Sequence, residues 1–334
     1  MCLFPMFIHN PKYKPNKKNK YNPPQLKDER IKYVPTGCGK CIECLKQKAR
    51  EWQVRLQEEI KTDKTGLFIT FSYSDKWLNQ LENQCQWTDE IIGIRKSITL
   101  PNGSTRNYYN KVATKLDNPP SGYDLDNAVA TLSVRLFLER WRKNTGKSVK
   151  HWFVTELGTK STERLHLHGI LFTDKTKDEI SKIWKYGNIF IGDYVNVKTI
   201  NYIVKYLHKT DQTHKYYTPK ILCSAGLGSN YINTYNATLN KYNGKNTKDT
   251  YRTNQGHLLA LPIYYRNQIY TEEEREKLWL HKLDEEIRWI NGIKIDVSTE
   301  KGMQLYENIL LQEQEKNKRL GYGNREINHS RIRS

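Results

Sequence analysis

The sequence lacks any long apolar run. No stretch approaches the ~20 consecutive apolar residues that a membrane-spanning helix needs. No signal peptide opens the chain either, because its first residues are soon followed by clusters of proline and lysine. We therefore expect no membrane partner. The chain also lacks a Gly-x-x-x-x-Gly-Lys-Ser/Thr phosphate-binding loop, so a fused helicase is not expected.

Acidic residues are scarce relative to basic ones. The 334 residues include 55 Lys and Arg against 36 Asp and Glu, which gives a formal net charge of +19. Phenylalanine is also scarce, with 8 residues against 22 Tyr and 8 Trp. Tyrosine and tryptophan suit base stacking on single strands, although they also suit half-buried sheet faces. A charge of this size attracts a polyanion and predicts salt-dependent binding to nucleic acid.

The few cysteines do not read as a disulfide framework in a chain without an export signal. Three of the six follow one another with two-residue spacers: Cys38, Cys41 and Cys44. Such spacers let sulfurs converge on a tetrahedral ion, which predicts a structural Zn²⁺ site. A closed site needs a fourth ligand, for which Cys2 is the best candidate and Cys85 and His9 are weaker ones. The alternatives are reduced cysteines without a metal and, less favoured, an iron–sulfur cluster.

Hydrophobic periodicity predicts a mixture of helices and strands. In chain order it indicates a helix at about 40–60, a strand at 67–73, a helix at about 126–143, strands at 152–156 and 165–172, a helix at 178–185, a strand at 188–197 and a helix at 199–209 with Thr199 as its N-cap. A polar insertion at 79–124 has room for a small hairpin of 97–100 and 106–109. This order predicts an α+β fold, with an antiparallel central sheet and flanking helices on one face.

Three regions are predicted along the chain: a Cys-rich segment with a helix at 1–60, a central domain at 61–215 and an accessory region at 216–334. Within the first, residues 10–30 are predicted to form an extended arm or loop. Residues 229–256 are rich in Asn and Tyr, and they suit either a DNA-facing loop or a mobile one. A charged amphipathic helix is predicted at 271–291. The basic tail, with Arg325, Arg331 and Arg333, is predicted to be disordered.

The strongest chemical signal lies in the predicted hairpin. His166 and His168 flank one apolar residue, so in a strand they project from the same face. Glu156, on the preceding strand, is expected to lie near them across the ladder. Two imidazoles and a carboxylate suit a divalent ion that keeps open positions for substrate oxygens. A half-buried strand with two hydrogen-bonded histidines is the alternative.

A second signal follows at Tyr202 and Tyr206, which are four residues apart and so share one helical face, with Lys205 beside them. A phenol becomes a competent nucleophile when a metal-bound phosphate and a lysine offset its proton affinity. One turn of rise separates the two tyrosines by about 5 to 6 Å, so we expect a single phosphate to reach only one of them at a time. Core packing is the alternative for either tyrosine.

The order of these motifs resembles that of the HUH endonucleases, which initiate rolling-circle replication of small circular DNA elements. The likeness is greatest to the replication initiators of microviruses, above all the gokushovirus branch. Segments outside the site carry it as well: Met1–Pro5, Cys38–Cys44, His166–Phe172, Tyr202–Lys209, Ser224–Gly228 and Leu261–Tyr265. The resemblance covers roughly residues 1 to 280.

The resemblance implies a ferredoxin-like or RRM-like sheet, with Mg²⁺ or Mn²⁺ on Glu156, His166 and His168. It further implies that Tyr202 or Tyr206 attacks single-stranded DNA at a replication origin and forms a 5′-phosphotyrosine. The expected setting is the cytoplasm of a bacterial host, with a host helicase and polymerase as partners. Two other functions stay open: a zinc-containing DNA-binding regulator without catalysis, and a metal-dependent nuclease that uses water.

Overall fold

The computed structural model describes residues 2–158, 163–192, 194–209 and 213–326. Its helices are α1 (Ile42–Thr62), α2 (Asp75–Gln84), α3 (Gly122–Thr145), α4 (Lys177–Trp184), α5 (Val197–Val204), α6 (Tyr235–Thr238), α7 (Ile263–Ile269), α8 (Glu272–Asp284) and α9 (Glu300–Arg319). Its strands are β1 (Met6–His9), β2 (Tyr33–Thr36), β3 (Gly66–Ser72), β4 (Trp87–Thr99), β5 (Thr105–Lys115), β6 (Lys150–Leu157), β7 (Leu165–Phe172), β8 (Ile189–Ile191), β9 (Ile221–Cys223), β10 (Thr250–Arg252), β11 (Leu258–Ala260), β12 (Ile287–Ile290) and β13 (Ile293–Asp296). The α+β prediction is confirmed.

The chain divides into two compact units. The first comprises Met1–Phe68, Gly192–Pro219 and Cys223–Asn328, and the second comprises Ile69–Ile191, Lys220–Leu222 and His329–Ser334. The predicted functional boundaries after residues 60 and 215 stay predictions. No helix among the described residues is long and apolar enough to cross a membrane.

The second unit is built on a five-stranded sheet with the order β8-β3-β7-β6-β9. Its core is aromatic: Phe71 stacks on Trp184 with ring centroids 4.1 Å apart, and Phe137 of α3 packs against both rings. Along β3, Ile69 and Phe71 are fully buried, whereas the alternate residue Thr70 is half-buried. The two faces of the sheet therefore differ, with an apolar core on one and polar side chains on the other.

Strands β6 and β7 form the predicted antiparallel hairpin, with Glu156 opposite His166 and Phe153 opposite Gly169. Gly169 allows unusually close packing of the two strands. A Cβ atom at that position would lie 2.0 Å from the carbonyl oxygen of Trp152 and 2.6 Å from Cδ1 of Phe153. Only glycine fits there without a shift of the backbone.

The first unit contains the long helix α1, which packs against α5 and the 3₁₀ turn Lys205–Leu207. The predicted helix at 40–60 is confirmed by α1. The predicted N-cap of the tyrosine helix is wrong. Asn196 caps α5 by accepting from the N–H of Thr199, and the Thr199 hydroxyl completes the capping box by accepting from the N–H of Asn196.

The polar insertion was under-predicted. Its hairpin is not a short element of four residues a strand but a ribbon of 13 residues in β4 and 11 in β5, preceded by the helix α2. Its side chains are exposed apart from a partly exposed Ile98, so the burial pattern that normally reveals strand length is absent. The strand predicted at 188–197 is correspondingly shorter, since β8 covers Ile189–Ile191.

The Asn/Tyr-rich region is ordered in part around a core. Tyr231 and Tyr251 are each 2 % exposed and pack with Tyr265, so these tyrosines are not available for base stacking. The predicted helix at 271–291 ends at Asp284, because the chain then turns into the hairpin of β12 and β13. Helix α9 was not predicted.

Arg325 is not disordered: its guanidinium donates to the carbonyl oxygens of Phe4 and Thr36. Arg331 and Arg333 lie outside the described residues.

Candidate active-site residues

The hairpin brings Glu156 and His168 into direct contact. Oε2 of Glu156 lies 2.7 Å from Nε2 of His168, which is the diagonal neighbour across the ladder. The ring of His166 lies on the same half-open face, with its centroid 6.2 Å from that of His168 and the rings inclined by 28°. The intervening Leu165 and Leu167 are buried, as the two-residue period of a strand requires. The structure thus brings the three predicted ligands to one face.

Thr70 is a residue that sequence reasoning missed. Its Oγ1 lies 3.0 Å from Nδ1 of His168, so both nitrogens of that imidazole have partners. Nε2–H donates to the Glu156 carboxylate when the Thr70 hydroxyl donates to Nδ1, and the opposite tautomer donates from Nδ1 to Thr70. The only signal in the sequence was the position of Thr70 among alternating residues of a predicted strand.

His166 is in the form that a metal ligand requires. Burial lowers the pKa of the His166 imidazole, and the neighbouring charge of His168 lowers this pKa further. A neutral imidazole offers a lone pair to a cation. Two imidazoles and one carboxylate form a donor set that suits Mg²⁺ or Mn²⁺ chemically, so these residues fit the cation that the resemblance implies.

The tyrosine pair lies at the junction of α5 and the following 3₁₀ turn. The ring centroids of Tyr202 and Tyr206 are 5.3 Å apart, and the rings meet edge to face at 84°. The hydroxyl of Tyr206 donates to that of Tyr202 over 2.5 Å. Helical rise sets the spacing of the backbone, whereas the side chains converge at their tips. The expectation that one phosphate can reach only a single phenol is therefore wrong.

The two phenols differ in exposure. Tyr202 is 51 % exposed and Tyr206 is 8 % exposed. Phe68 packs edge to face against Tyr202 at 6.1 Å, and the Lys209 ammonium lies 5.6 Å from the centroid of the Tyr206 ring. Lys205, on the 3₁₀ turn, is exposed. The pair thus presents one phenol to solvent and holds the other beneath it as a hydrogen-bond donor.

A polar cleft of about 310 Å³ lies between α1 and α5 in the same unit. Its polar lining comprises Lys46, Arg50, Gln53, Asn201 and His208. Burial lowers the pKa of His208, and the positive charges of Lys46, Arg50 and Lys205 lower this pKa further. The cleft therefore concentrates positive charge on the face of α1 that packs against the tyrosine helix.

The four clustered cysteines also come together. All the Sγ atoms of Cys2, Cys38, Cys41 and Cys44 lie within 4.8 Å of one another. Among the described residues, this is the one group of three or more His, Cys, Asp or Glu side chains that converges in this way. Cys85 and His9, the weaker candidates for a fourth ligand, are not in the group.

Comparison with known proteins supports a role in replication. Residues 122–211 match the family model of the replication-associated protein ORF2, a segment that includes the three hairpin residues and both tyrosines. The chain is 26 % identical over 189 residues to replication-associated protein VP4 of Bdellovibrio phage phiMH2K. The match covers 54 % of this chain and 51 % of the relative, so it spans about half of each protein. No solved structure matches the chain. The predicted resemblance to phage replication-associated proteins is confirmed.

Proposed function

We propose that this protein initiates DNA replication by nicking one strand at an origin through a tyrosine nucleophile. The observation that carries the proposal is the hydrogen-bonded pair Tyr202–Tyr206, which lies in the same family-matched segment as the Glu156, His166 and His168 face. The two sets of residues supply the components of a phosphoryl-transfer reaction: a nucleophile and a potential cation site.

Tyr202 attacks first in this proposal, because it is the exposed member of the pair. Its oxygen forms a bond to the scissile phosphorus while the bond from phosphorus to the 3′ oxygen breaks. The 3′ oxygen takes up a proton and becomes a free hydroxyl, and the 5′ phosphate stays on the tyrosine. Because one phosphodiester replaces another, the step needs no ATP and can run backwards to religate the strand.

Tyr206 has two roles in this scheme. Its hydroxyl donates to the Tyr202 oxygen, which stabilises negative charge there as the proton leaves. The convergence of the two hydroxyls also lets Tyr206 act as the nucleophile of a second cleavage, which releases a unit-length circle. Lys205, one residue earlier and exposed, is suited to hold the phosphate or to favour the phenolate.

The hairpin face would hold Mg²⁺ or Mn²⁺ through Glu156, His166 and His168. When bound, such an ion neutralises negative charge that develops on the phosphate. Thr70 would orient the His168 ring by accepting a hydrogen bond from Nδ1, which leaves the Nε2 lone pair for the ion. Glu156 would then exchange its present hydrogen bond with His168 for the ion.

The proposed partner is single-stranded DNA at an origin. The net charge of +19 and the basic cleft of Lys46, Arg50 and His208 support phosphate binding near the tyrosine helix. The free 3′ hydroxyl would prime a host polymerase, and a host helicase would separate the strands. By similarity to the phage protein, the proposed place of action is the cytoplasm of a bacterial host.

Incubation of the full chain with single-stranded origin DNA and Mn²⁺ tests the chemistry. A covalent protein–DNA band that survives denaturation supports the tyrosine enzyme. Cleavage without an adduct would instead show a nuclease that activates water, and binding without cleavage would show a regulator. Either of these two results overturns the proposal.

The histidine variants test the metal face separately. His166→Ala and His168→Ala should abolish nicking while salt-dependent DNA binding persists, because most affinity comes from lysine and arginine contacts to phosphates. His257→Ala, at an exposed position of the first unit, is the matched control and should nick normally. Cleavage at the wild-type rate by either hairpin variant would contradict the assignment of the ligands.

A further inference from the structure

The geometry of Cys2, Cys38, Cys41 and Cys44 points to a tetrathiolate zinc centre, and we propose that this centre fixes the segments on either side of the tyrosine pair. The spacing of the sulfurs is the first support. A Zn–S bond of about 2.3 Å in a tetrahedron places sulfurs about 3.8 Å apart. The Sγ atoms of Cys38 and Cys44 are 3.9 Å apart, and those of Cys41 and Cys2 are also 3.9 Å apart.

The same distances exclude a disulfide in this cluster. A bonded pair of sulfurs would lie about 2.05 Å apart, and all four cysteines are free thiols in the structure. Gly37 accommodates the close approach, because a Cβ atom there would lie 3.2 Å from Sγ of Cys44. The cluster is thus spaced for an ion rather than for a covalent bond.

Backbone N–H groups point at the sulfurs. Cys2 Sγ accepts from the N–H groups of Cys38 at 3.2 Å and Phe4 at 3.3 Å, and Cys38 Sγ accepts from that of Cys41 at 3.2 Å. Such donors stabilise thiolates, which are the form that binds zinc, and they orient the ligands before the metal arrives. They also tie the N-terminal residues to the start of α1.

The cluster belongs to a small apolar core. Leu3, Cys41, Ile42 and Leu45 are buried there with Tyr322, which follows the C-terminal helix α9. The buried Asn317 closes this junction. Its Oδ1 accepts from the N–H of Ile42 at 2.9 Å, and its Nδ2 donates to the carbonyl oxygen of Tyr322 at 3.2 Å. The metal would therefore fix three chain segments: the N-terminus, the start of α1 and the end of α9.

Two contacts lead from this junction to the tyrosine pair. The hydroxyl of Tyr322 donates to the carbonyl oxygen of His208 over 2.6 Å, two residues after Tyr206. On α1, Nε2 of Gln53 donates to Oδ1 of Asn201 over 2.8 Å, one residue before Tyr202. These contacts bracket the two phenols. The positioning role rests on the proposed function of the tyrosines, whereas the presence of zinc does not.

Metal analysis of the purified full chain tests the site. About one zinc per chain is expected, and Cys41→Ser should lose it. Cys85→Ser and Cys223→Ser are matched controls outside the cluster and should keep it. Replacement by Co²⁺ should give the sulfur-to-metal charge-transfer and visible bands of a tetrahedral thiolate site. Iron in place of zinc, zinc retained by Cys41→Ser, or metal-free protein of normal stability would each overturn the site.

Hydrogen exchange tests the positioning role without using activity. Removal of zinc from the wild-type chain should speed exchange at the amides of 200–209, and zinc should restore protection. Tyr322→Phe should speed exchange near His208 while keeping the metal, since the ring stays and only the hydroxyl is lost. Unchanged exchange in both experiments would refute the coupling even if zinc is present. Absence of a DNA adduct would refute the proposed function and leave the zinc measurement valid.

Discussion

The hydroxyl group of Tyr206 donates a 2.5 Å hydrogen bond to the hydroxyl group of Tyr202. Because Tyr202 is exposed and Tyr206 is buried, the bond gives the two phenols an order: one faces the solvent and the other supports it. A hydrogen bond to a charged oxygen contributes about 1.5–3 kcal/mol. This bond therefore favours the phenolate of Tyr202, which is the nucleophile that the proposed reaction needs.

The first prediction concerns this bond. Tyr206→Phe keeps the ring and removes the donor, so adduct formation on a suicide oligonucleotide should slow by about 10- to 100-fold in single-turnover experiments. Tyr235→Phe, which alters a tyrosine that is 77 % exposed, is the control and should react at the wild-type rate. If Tyr206→Phe also matches the wild type, the hydrogen bond has no part in activating Tyr202.

The basic cleft gives a second prediction. Arg50→Ala should weaken binding to single-stranded DNA at every sequence and lower the slope of log K against log salt by about 1, as expected when one phosphate contact is lost. Lys301→Ala removes the same charge from the exposed surface of α9 and should leave the slope near that of the wild type. Equal slopes for Arg50→Ala and the wild type would show that the cleft does not bind phosphate.

A third prediction concerns the hairpin that carries the histidines. Gly169→Ala should lower the free energy of unfolding by about 2 kcal/mol, because the new methyl group overlaps the backbone of Trp152. Urea denaturation measures this loss. Gly158→Ala, whose Cβ would lie no closer than 3.5 Å to its neighbours, is the control within the same hairpin and should be nearly neutral. Equal stability of the two variants would contradict the close approach of the strands.

The ribbon of β4 and β5 gives a fourth prediction. Replacing residues 89–113 by Asn-Gly joins Thr88 to Thr114, which are already paired across the strands, through a two-residue turn. The removed side chains are exposed apart from Ile98, so the free energy of unfolding should change by no more than about 0.5 kcal/mol. A loss well above that value would show that the ribbon packs on the rest of the protein.

The sequence predicted features that depend on local periodicity. The two-residue period placed His166 and His168 on one face of a strand, and the four-residue spacing paired Tyr202 with Tyr206. It could not predict contacts between distant segments. Thr70 and His168 are 98 residues apart, and Tyr322 and His208 are 114 apart. Such contacts depend on sheet order and helix packing rather than on any local pattern.

Identification of the residue that becomes linked to DNA tests the central claim most directly. The full chain is allowed to react with a single-stranded suicide oligonucleotide and Mn²⁺, digested, and analysed by mass spectrometry. We predict a peptide that carries the 5′-phosphate end of the cleaved strand on Tyr202. Cleavage products without any phosphotyrosine peptide, or a first adduct on Tyr206 instead of Tyr202, would contradict the account.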